Sequence, residues 1–173
     1  MKIETLRAAV RDIPDFPKPG ILFKDITPVL HDPKLFRGAV SLLAARLKGQ
    51  RITKIVAIES RGFLFGAALA HKLGLGLVPV RKKGKLPYRT LEHSYDLEYG
   101  SATLEIHADA LTKKDRVVII DDLLATGGTA AAAVALVRRL GARVVELDFL
   151  IELAFLKGRR PLKGLRVYAP LVY

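Results

Sequence analysis

A strand, two acids and a glycine turn follow one another between Val117 and Ala133, in the segment VVIIDDLLATGGTAAAA. The leading apolar residues suit a buried strand, and the alanines after the turn suit a helix. A strand–turn–helix unit of this kind is typical of α/β proteins, in which helices cover a parallel sheet. The small residues of the turn let a ligand approach the backbone. This one segment therefore predicts both the fold class and the place of a ligand site.

Strands and helices alternate along the rest of the chain. Predicted strands are KIVAI, GLVPV, RVVIID, RVVELDFLIEL and a last LRVYAPLVY, and YDLEYG forms a hairpin with ATLEIHA after a long polar loop, RKKGKLPYRTLEHS. Predicted helices are LRAAVRDI, HDPKLFRGAVSLLAARLKG with Asp32 as its cap, FLFGAALAHKLG and TAAAAVALVRRLG. The sequence therefore predicts one α/β domain over residues 1–173, with a central, mostly parallel, twisted sheet flanked by helices.

Composition excludes several kinds of protein. The chain has no cysteine, so disulfides, zinc ribbons, iron–sulfur clusters and thiol catalysis are excluded. The N-terminal MKIETLRAAVRDI is no secretory signal, and the apolar run GFLFGAALA is far shorter than the roughly 20 residues of a membrane helix. We expect a soluble, cytoplasmic protein with no membrane partner. The absence of asparagine and the single glutamine, Gln50, favour a thermophilic source.

The net charge of +12 is concentrated in two stretches. Residues 81–89 hold five basic side chains and no acid, and residues 153–173 hold another five and no acid. A local excess of this kind is expected of a surface that binds an anion. Charge alone leaves open whether that anion is a nucleic acid or a phosphorylated small molecule, and whether the later stretch is simply a solvated loop.

The turn after the two acids has the properties of a phosphate-binding loop. Gly127 and Gly128 give the backbone freedom, Thr126 and Thr129 offer hydroxyls, and the helix that follows presents free N–H groups. No lysine follows the glycines, so the loop is not that of the nucleoside triphosphatases, and its acids precede the glycines, unlike the dinucleotide pattern. A ligand with a phosphate on the loop and hydroxyls beside the acids, such as a ribose 5-phosphate, suits this order.

The segment VVIIDDLLATGGTA resembles the phosphoribosyl-diphosphate (PRPP) signature of the phosphoribosyltransferases. The segments DFPKPGILFKDITPVL, ESRGFLFGAALA, VRKKGKLP and YDLEYG resemble the adenine-specific branch of that family, and the resemblance runs from about Asp15 to Leu162. It implies the type I phosphoribosyltransferase fold, with a small N-terminal hood (about residues 1–30 and the C-terminal segment) and a flexible loop. It also implies a homodimer that transfers the phosphoribosyl group of PRPP to N9 of adenine. The products would be AMP and pyrophosphate, in purine salvage, with Mg²⁺ held mainly by PRPP and no protein ligand to the metal assigned.

The resemblance also assigns roles to residues. For catalysis it implies Glu98, near N7 of the purine, and Arg61, which would also meet the pyrophosphate. Asp121 and Asp122 would contact the ribose hydroxyls. The 5-phosphate would lie on Ala125, Thr126, Gly127, Gly128 and Thr129. The pyrophosphate would further meet Arg81, Lys82 and Lys85. Adenine would contact Leu22, Phe23, Lys24 and Leu153.

Plainer roles exist for several of these residues. Arg61 and the basic loop at 81–89 also suit a solvated surface, Phe23 also suits a core, and Glu98 also suits an exposed hairpin. Two other functions remain open as well. One keeps the PRPP site but takes hypoxanthine, guanine or xanthine, since Lys163 and Tyr168 come late in the chain. The other is a non-catalytic regulator that binds nucleic acid. If the protein instead transfers the phosphoribosyl group to adenine, as the resemblance implies, we expect no nucleic-acid partner.

Overall fold

The computed structural model describes residues 1–96 and 100–173. The chain divides into two compact units, residues 1–46 and residues 47–173. Each unit has its own sheet.

The first unit is mainly helical and carries a short hairpin. Helix α1 covers Ile3–Ala9, strand β1 covers Arg11–Ile13 and pairs antiparallel with strand β2, Phe23–Asp25. The prediction of a helix through Ile13 was wrong at its end, because its last residues find a partner strand in the segment after the prolines. Helix α2 covers Thr27–His31, and helix α3 covers Pro33–Leu47.

The predicted cap of α3 is confirmed. Oδ1 of Asp32 accepts the N–H groups of Lys34, at 2.7 Å, and of Leu35, at 3.0 Å. These two bonds satisfy donors that have no partner inside the helix, and they lower the pKa of Asp32 below its usual value.

The second unit is built around one mostly parallel sheet. Its strands are β3 Lys54–Ile58, β4 Gly76–Lys82, β5 Thr90–Asp96, β6 Ser101–His107, β7 Arg116–Leu124, β8 Arg143–Glu152, β9 Val167–Tyr168 and β10 Leu171–Val172. The order across the sheet is β10-β8-β7-β3-β4-β6-β5, with β9 on β8. Among the strands that the structure describes in this sheet, only the pairs β4–β6 and β5–β6 are antiparallel, so the predicted mostly parallel sheet is confirmed.

Two strands are longer than the sequence indicated. Strand β7 continues through both acids to Leu124, because its last residues pair with Ile151 and Glu152 of β8. Strand β5 begins at Thr90, so the polar loop predicted over 81–94 spans only residues 83–89. In both places a neighbouring strand supplies the backbone hydrogen bonds. The polar sequence of the segment itself does not indicate that neighbour.

Helices α4, Gly62–Leu73, and α5, Gly128–Arg139, follow β3 and β7 directly. The core of this unit is formed by apolar side chains of the parallel strands and of α5, among them Val56, Ile58, Ile119, Leu136 and Phe149. Both helices therefore begin where a buried parallel strand ends, which is where α/β folds bind ligands. Within residues 1–96 and 100–173, no helix is both long enough and apolar enough to span a bilayer.

Candidate active site

A cavity of about 300 Å³ opens at the carboxyl ends of the parallel strands. It is lined from four sides, by the turn after β3, by β4, by the hairpin of β5 and β6, and by β7 with the start of α5. The lining residues are Glu59, Ser60, Arg61, Lys82, Tyr95, Leu104, Asp121, Asp122, Leu123 and Thr129. Of the residues predicted from the sequence, Arg61, Lys82, Asp121, Asp122 and Thr129 thus meet in one cavity.

Arg61 and Asp122 form an ion pair across this cavity. The Arg61 Nε lies 2.8 Å from Asp122 Oδ2, and the Asp122 side chain is only 6% exposed. Arg61 stands immediately before α4, whose first residue, Gly62, has room for no side chain because a Cβ there would lie 2.8 Å from Asp121 Oδ1. The missing side chain brings the start of α4 against the end of β7, and this close approach sets Arg61 beside the acids.

The two neighbouring acids differ in their electrostatics. Burial, together with the charge of Asp122, raises the pKa of Asp121 well above its ordinary value. Burial also raises the pKa of Asp122, but the positive charge of Arg61 opposes that rise. Oδ1 of Asp121 accepts the backbone N–H of Asp122 at 2.8 Å. One carboxylate is therefore paired with a cation, while the other depends on a backbone donor.

A second, smaller cavity of about 70 Å³ lies at the start of α5. It shares Asp121, Leu123 and Thr129 with the first and is otherwise lined by Leu124, Ala125, Thr126, Gly127, Ala130 and Phe149. The loop bends at Gly127, whose φ of +86° is open to glycine and strained for other residues. The predicted phosphate loop, residues 125–129, therefore surrounds a small cavity at a helix N-terminus, as an anion site requires.

The segment that follows β8 supports this loop from behind. A side chain at Gly127 would overlap the carbonyl oxygen of Gly158, and one at Gly158 would overlap the carbonyl oxygen of Ala125. The Leu153 N–H donates to the carbonyl oxygen of Leu124 at 2.9 Å. The loop is thus held by backbone-to-backbone packing against residues about thirty positions later in the chain.

Arg159 anchors that later segment. Its guanidinium contacts both carboxylate oxygens of Glu152, with Nε at 2.8 Å and Nη2 at 2.6 Å. Glu152 is 7% exposed as a side chain. A two-point contact of this kind fixes orientation as well as distance, so it holds Gly158 against the phosphate loop.

Two carboxylates, the half-buried Glu59 and the buried Glu105, shape the basic loop after β4. Glu59 receives the Arg81 Nε at 3.2 Å and the Lys82 N–H at 3.0 Å. Glu105, 3% exposed, receives the N–H groups of Lys85, at 2.8 Å, and Leu86, at 2.7 Å. For both acids burial opposes ionisation, but these hydrogen bonds outweigh it and lower the pKa.

The structure separates the four predicted pyrophosphate residues. Arg61 and Lys82 line the larger cavity, whereas Arg81 and Lys85 do not. The Arg81 guanidinium contacts Glu59 and also donates from Nη1 to the carbonyl oxygen of Lys85, at 2.9 Å. Arg81 therefore closes the base of the basic loop.

The predicted adenine segment lies in the first unit. Leu22 is 48% exposed, and the ring of Phe23 meets that of Phe16 edge to face at 5.1 Å. Lys24 is buried on β2, with its Nζ 2.6 Å from Asp12 Oδ1. The fourth adenine residue, Leu153, is half-buried in the second unit. The adenine roles of all four stay predictions.

Glu98, the predicted acid–base residue, lies outside the described residues. For the metal, no cluster of three or more His, Cys, Asp or Glu side chains occurs within residues 1–96 and 100–173. Asp121 and Asp122 supply the hard carboxylate oxygens that Mg²⁺ prefers, but two carboxylates are fewer than a metal cage of protein ligands needs. This donor set fits an ion that is carried mainly by a phosphorylated substrate.

Sequence reasoning assigned no role to Ser60, Leu104 and Leu123 of the larger cavity, and it missed four residues that shape the site. Glu59 and Glu105 are charged residues that fold inward, Tyr95 reaches the phosphate loop from β5, and Gly158 packs behind that loop. Only Glu59 carried a local signal, since it ends the apolar strand KIVAI.

Comparison with known proteins agrees with this geometry. The phosphoribosyl transferase domain family matches residues 27–163. The adenine phosphoribosyltransferase of Carboxydothermus hydrogenoformans is 60% identical over 168 residues, which cover 97% of this chain and 99% of that protein.

Two solved structures share the fold over nearly the whole chain. The adenine phosphoribosyltransferase of Thermoanaerobacter pseudethanolicus superimposes with a TM-score of 0.97 at 53% identity, covering 99% of this chain and 100% of that one. The enzyme of Saccharomyces cerevisiae, solved with D-2,5-dideoxy-2,5-imino-altritol 1,6-bisphosphate and adenine, has a TM-score of 0.94 at 44% identity and covers 98% of both chains. This chain belongs to the phosphoribosyltransferase family, in its adenine phosphoribosyltransferase branch.

Proposed function

We propose that this protein transfers the 5-phosphoribosyl group of PRPP to N9 of adenine, releasing pyrophosphate and forming AMP, as a step of purine salvage. The observation that carries the proposal is the larger cavity, in which Arg61, Asp121, Asp122 and Thr129 meet at the start of α5. This arrangement offers a cation for a leaving group, acids for ribose hydroxyls and the first residues of a phosphate-binding helix.

The reaction breaks the bond between the anomeric carbon of PRPP and an oxygen of its pyrophosphate group. N9 of adenine forms the new bond to that carbon, and the proton on the purine must leave. Positive charge grows on the ribose ring, as in glycoside hydrolysis, and negative charge grows on the leaving pyrophosphate. A protein accelerates such a step mainly through charges that are already in place.

Asp121 and Asp122 act on the ribose. Their carboxylates accept hydrogen bonds from the ribose hydroxyls, and their negative charge stabilises the ring as it becomes positive. Since burial raises the pKa of Asp121, hydroxyl donors that favour its ionised form have a large effect there.

The phosphate loop, residues 125–129, holds the 5-phosphate. The N–H groups at the start of α5 have no helical partner, and the helix dipole adds about half a positive charge. Gly127 lets the loop bend and lie against Gly158, where a side chain would overlap the Gly158 carbonyl oxygen. This binding orients the ribose toward the acids.

The pyrophosphate leaves toward Arg61 and Lys82. Arg61 is paired with Asp122 at 2.8 Å, so one guanidinium joins the ribose and the pyrophosphate sides of the site. Arg81 and Lys85, which the family resemblance also assigns to pyrophosphate, contribute through the shape of the basic loop. Mg²⁺ bound with PRPP would neutralise charge on the leaving group. Asp121 and Asp122 carry the carboxylate oxygens that Mg²⁺ prefers as ligands.

Adenine binds to the segment Leu22–Lys24 and to Leu153. Phe23 offers a ring face to the base, and backbone groups of Leu22 and Lys24 read its amino edge. Glu98 assists proton movement at N7 while N9 attacks. These roles rest on the resemblance to the family.

We further propose that the protein works as a homodimer in the cytoplasm of a heat-adapted organism. The family resemblance supports the dimer, and the near absence of Asn, Gln, Met and Cys supports heat adaptation. Analytical ultracentrifugation and a thermal melt test the two points, and a monomer or an ordinary melting temperature would contradict them.

The function is tested by turnover with PRPP, Mg²⁺ and each purine base in turn. We expect AMP from adenine and no nucleotide from hypoxanthine, guanine or xanthine. Arg61→Ala and Glu98→Gln should lose most activity, whereas Arg138→Ala, an exposed arginine on α5, is the control with the same charge change. Formation of nucleotide from a 6-oxopurine would refute adenine as the specific base. Binding of PRPP without any product would refute the proposed enzymatic activity.

A further inference from the structure

Tyr95 reaches the phosphate loop from a different part of the sheet. It stands near the end of β5, and its Oη lies 3.0 Å from Oγ1 of Thr129, the second residue of α5. Its ring packs against the core of the second unit, and both residues line the larger cavity. A hydroxyl on a packed ring therefore meets a hydroxyl of the phosphate loop.

A second tie keeps β5 in place along α5. At the far end of the helix, Nη1 of Arg139 donates to the carbonyl oxygen of Glu92 at 2.5 Å. Strand β5 is thus tied to α5 near both ends of the helix. Because the Tyr95 ring also packs against the core, its contact with Thr129 belongs to the fold.

The chemistry of two hydroxyls decides which one donates when a phosphate is bound. Each hydroxyl has a single hydrogen, whereas an ionised phosphate oxygen only accepts hydrogen bonds. If Thr129 donates its hydrogen to the phosphate, it has none left for Tyr95. Tyr95 must then donate to Oγ1 of Thr129, and the free lone pairs of Oγ1 allow this.

We infer that Tyr95 is a positioning residue for the 5-phosphate of PRPP. It donates to Oγ1 of Thr129 and so directs the Thr129 hydrogen into the phosphate loop. The inference rests on the proposed function, because it assigns the loop to that phosphate. Hydrogen bonds in such a chain polarise one another, so Tyr95 strengthens a contact that it does not itself make.

The test measures binding of ribose 5-phosphate by calorimetry and the kinetics of PRPP and adenine separately. Tyr95→Phe removes one oxygen and keeps the ring. A lost hydrogen bond of about 1 kcal/mol corresponds to roughly 5-fold weaker binding. We expect the Kd of ribose 5-phosphate and the KM of PRPP to rise by about that factor, with kcat and the KM of adenine unchanged. Tyr88→Phe, at a tyrosine that is 59% exposed, is the matched control.

A double-mutant cycle separates positioning from a general structural effect. In a Thr129→Val background, Tyr95→Phe should cause no further loss, because the hydroxyl that it orients is gone. An unchanged Kd in Tyr95→Phe, or an equal loss in both backgrounds, would overturn the inference. A second variant leaves Tyr95 unchanged. Thr129→Ser keeps a hydroxyl that Tyr95 can orient, so this variant should bind ribose 5-phosphate nearly as tightly as the parent protein does. Binding as weak as that of Thr129→Val would also overturn the inference.

These outcomes are distinct from those of the proposed function. If the parent protein binds ribose 5-phosphate but makes no AMP, the reaction is refuted, and the calorimetric comparison of Tyr95→Phe still decides the role of Tyr95. If turnover is as proposed and Tyr95→Phe leaves the Kd of ribose 5-phosphate unchanged, only the role of Tyr95 is refuted.

Discussion

Replacing Gly158 with alanine should loosen the phosphate loop, although Gly158 itself is assigned no contact with substrate. The added Cβ would overlap the carbonyl oxygen of Ala125 and lie 2.9 Å from Cγ of Leu124, inside the 3.0 Å that real Cβ contacts essentially never pass. The overlap is with backbone, which cannot swing aside as a long side chain can. The loop and the segment after β8 must therefore move apart by roughly 1 Å.

Two magnitudes follow from this overlap. Forcing an extra carbon into a packed site costs about 1–3 kcal/mol of unfolding free energy, and each kcal/mol lowers the Tm of a chain of this size by about 2–4 °C. A misplacement near 1 Å lowers kcat/KM on the order of 100-fold. We expect the loss to appear in the KM of PRPP and in the Kd of ribose 5-phosphate.

The assay compares Gly158→Ala with Gly76→Ala by thermal melt, calorimetry and steady-state kinetics. Gly76 is a fair control because a Cβ there would lie 3.6 Å from its nearest neighbour, Cγ of Lys54, an ordinary contact. A Gly158→Ala protein with the parent's Tm and the parent's affinity for ribose 5-phosphate would refute the argument that this segment holds the loop.

Three further predictions concern buried charges. Asp121→Asn should abolish turnover yet raise the Tm at pH 7. Burial raises the pKa of Asp121 above 3.8, so ionisation of this side chain costs the folded protein stability as pH rises past that value. Thermal melts at pH 4 and pH 7 should therefore show the gain in Tm only at pH 7. Glu105→Gln should lower stability by about 1.5–3 kcal/mol at pH 7. Because the pKa of Glu105 is lowered from 4.5, the difference should shrink as pH falls below that value, and a difference that stays constant or grows on acidification below pH 4.5 would contradict this. Arg159→Gln should leave the carboxylate of Glu152 without its cation; because the Arg159 side chain is 51% exposed, water reaches the pair, and the loss in urea unfolding should be about 1–3 kcal/mol. Arg160→Gln, at an exposed neighbour, should be nearly neutral.

Local pattern was enough to predict the framework of the site. The apolar run before Asp121 and the glycine turn before α5 are both short, continuous segments. Their periodicity and their turn chemistry are therefore visible in the sequence. Asp32 is visible as a cap for the same reason. These features place the phosphate loop at the end of a central strand, and the structure has it there.

What the sequence did not reveal depends on partners that are distant in the chain. Strand β7 runs past its acids because β8 pairs with it, and β5 is a strand because β6 lies beside it. The inward positions of Glu59 and Glu105 depend on N–H groups more than eighteen residues away. Neither charge nor hydropathy of a single segment records such a partner, so a buried carboxylate looks like any surface acid.

The packing of Gly127 against Gly158 has a consequence for how the protein is made. Gly158 follows Gly127 by 31 residues (158 − 127), and a ribosome that adds about 5–20 residues each second needs roughly 2–6 seconds to bridge that interval. During that time the whole signature has been translated, and the backbone that will support it has not. A nascent chain stalled in the interval carries the complete PRPP motif and should still have no affinity for ribose 5-phosphate.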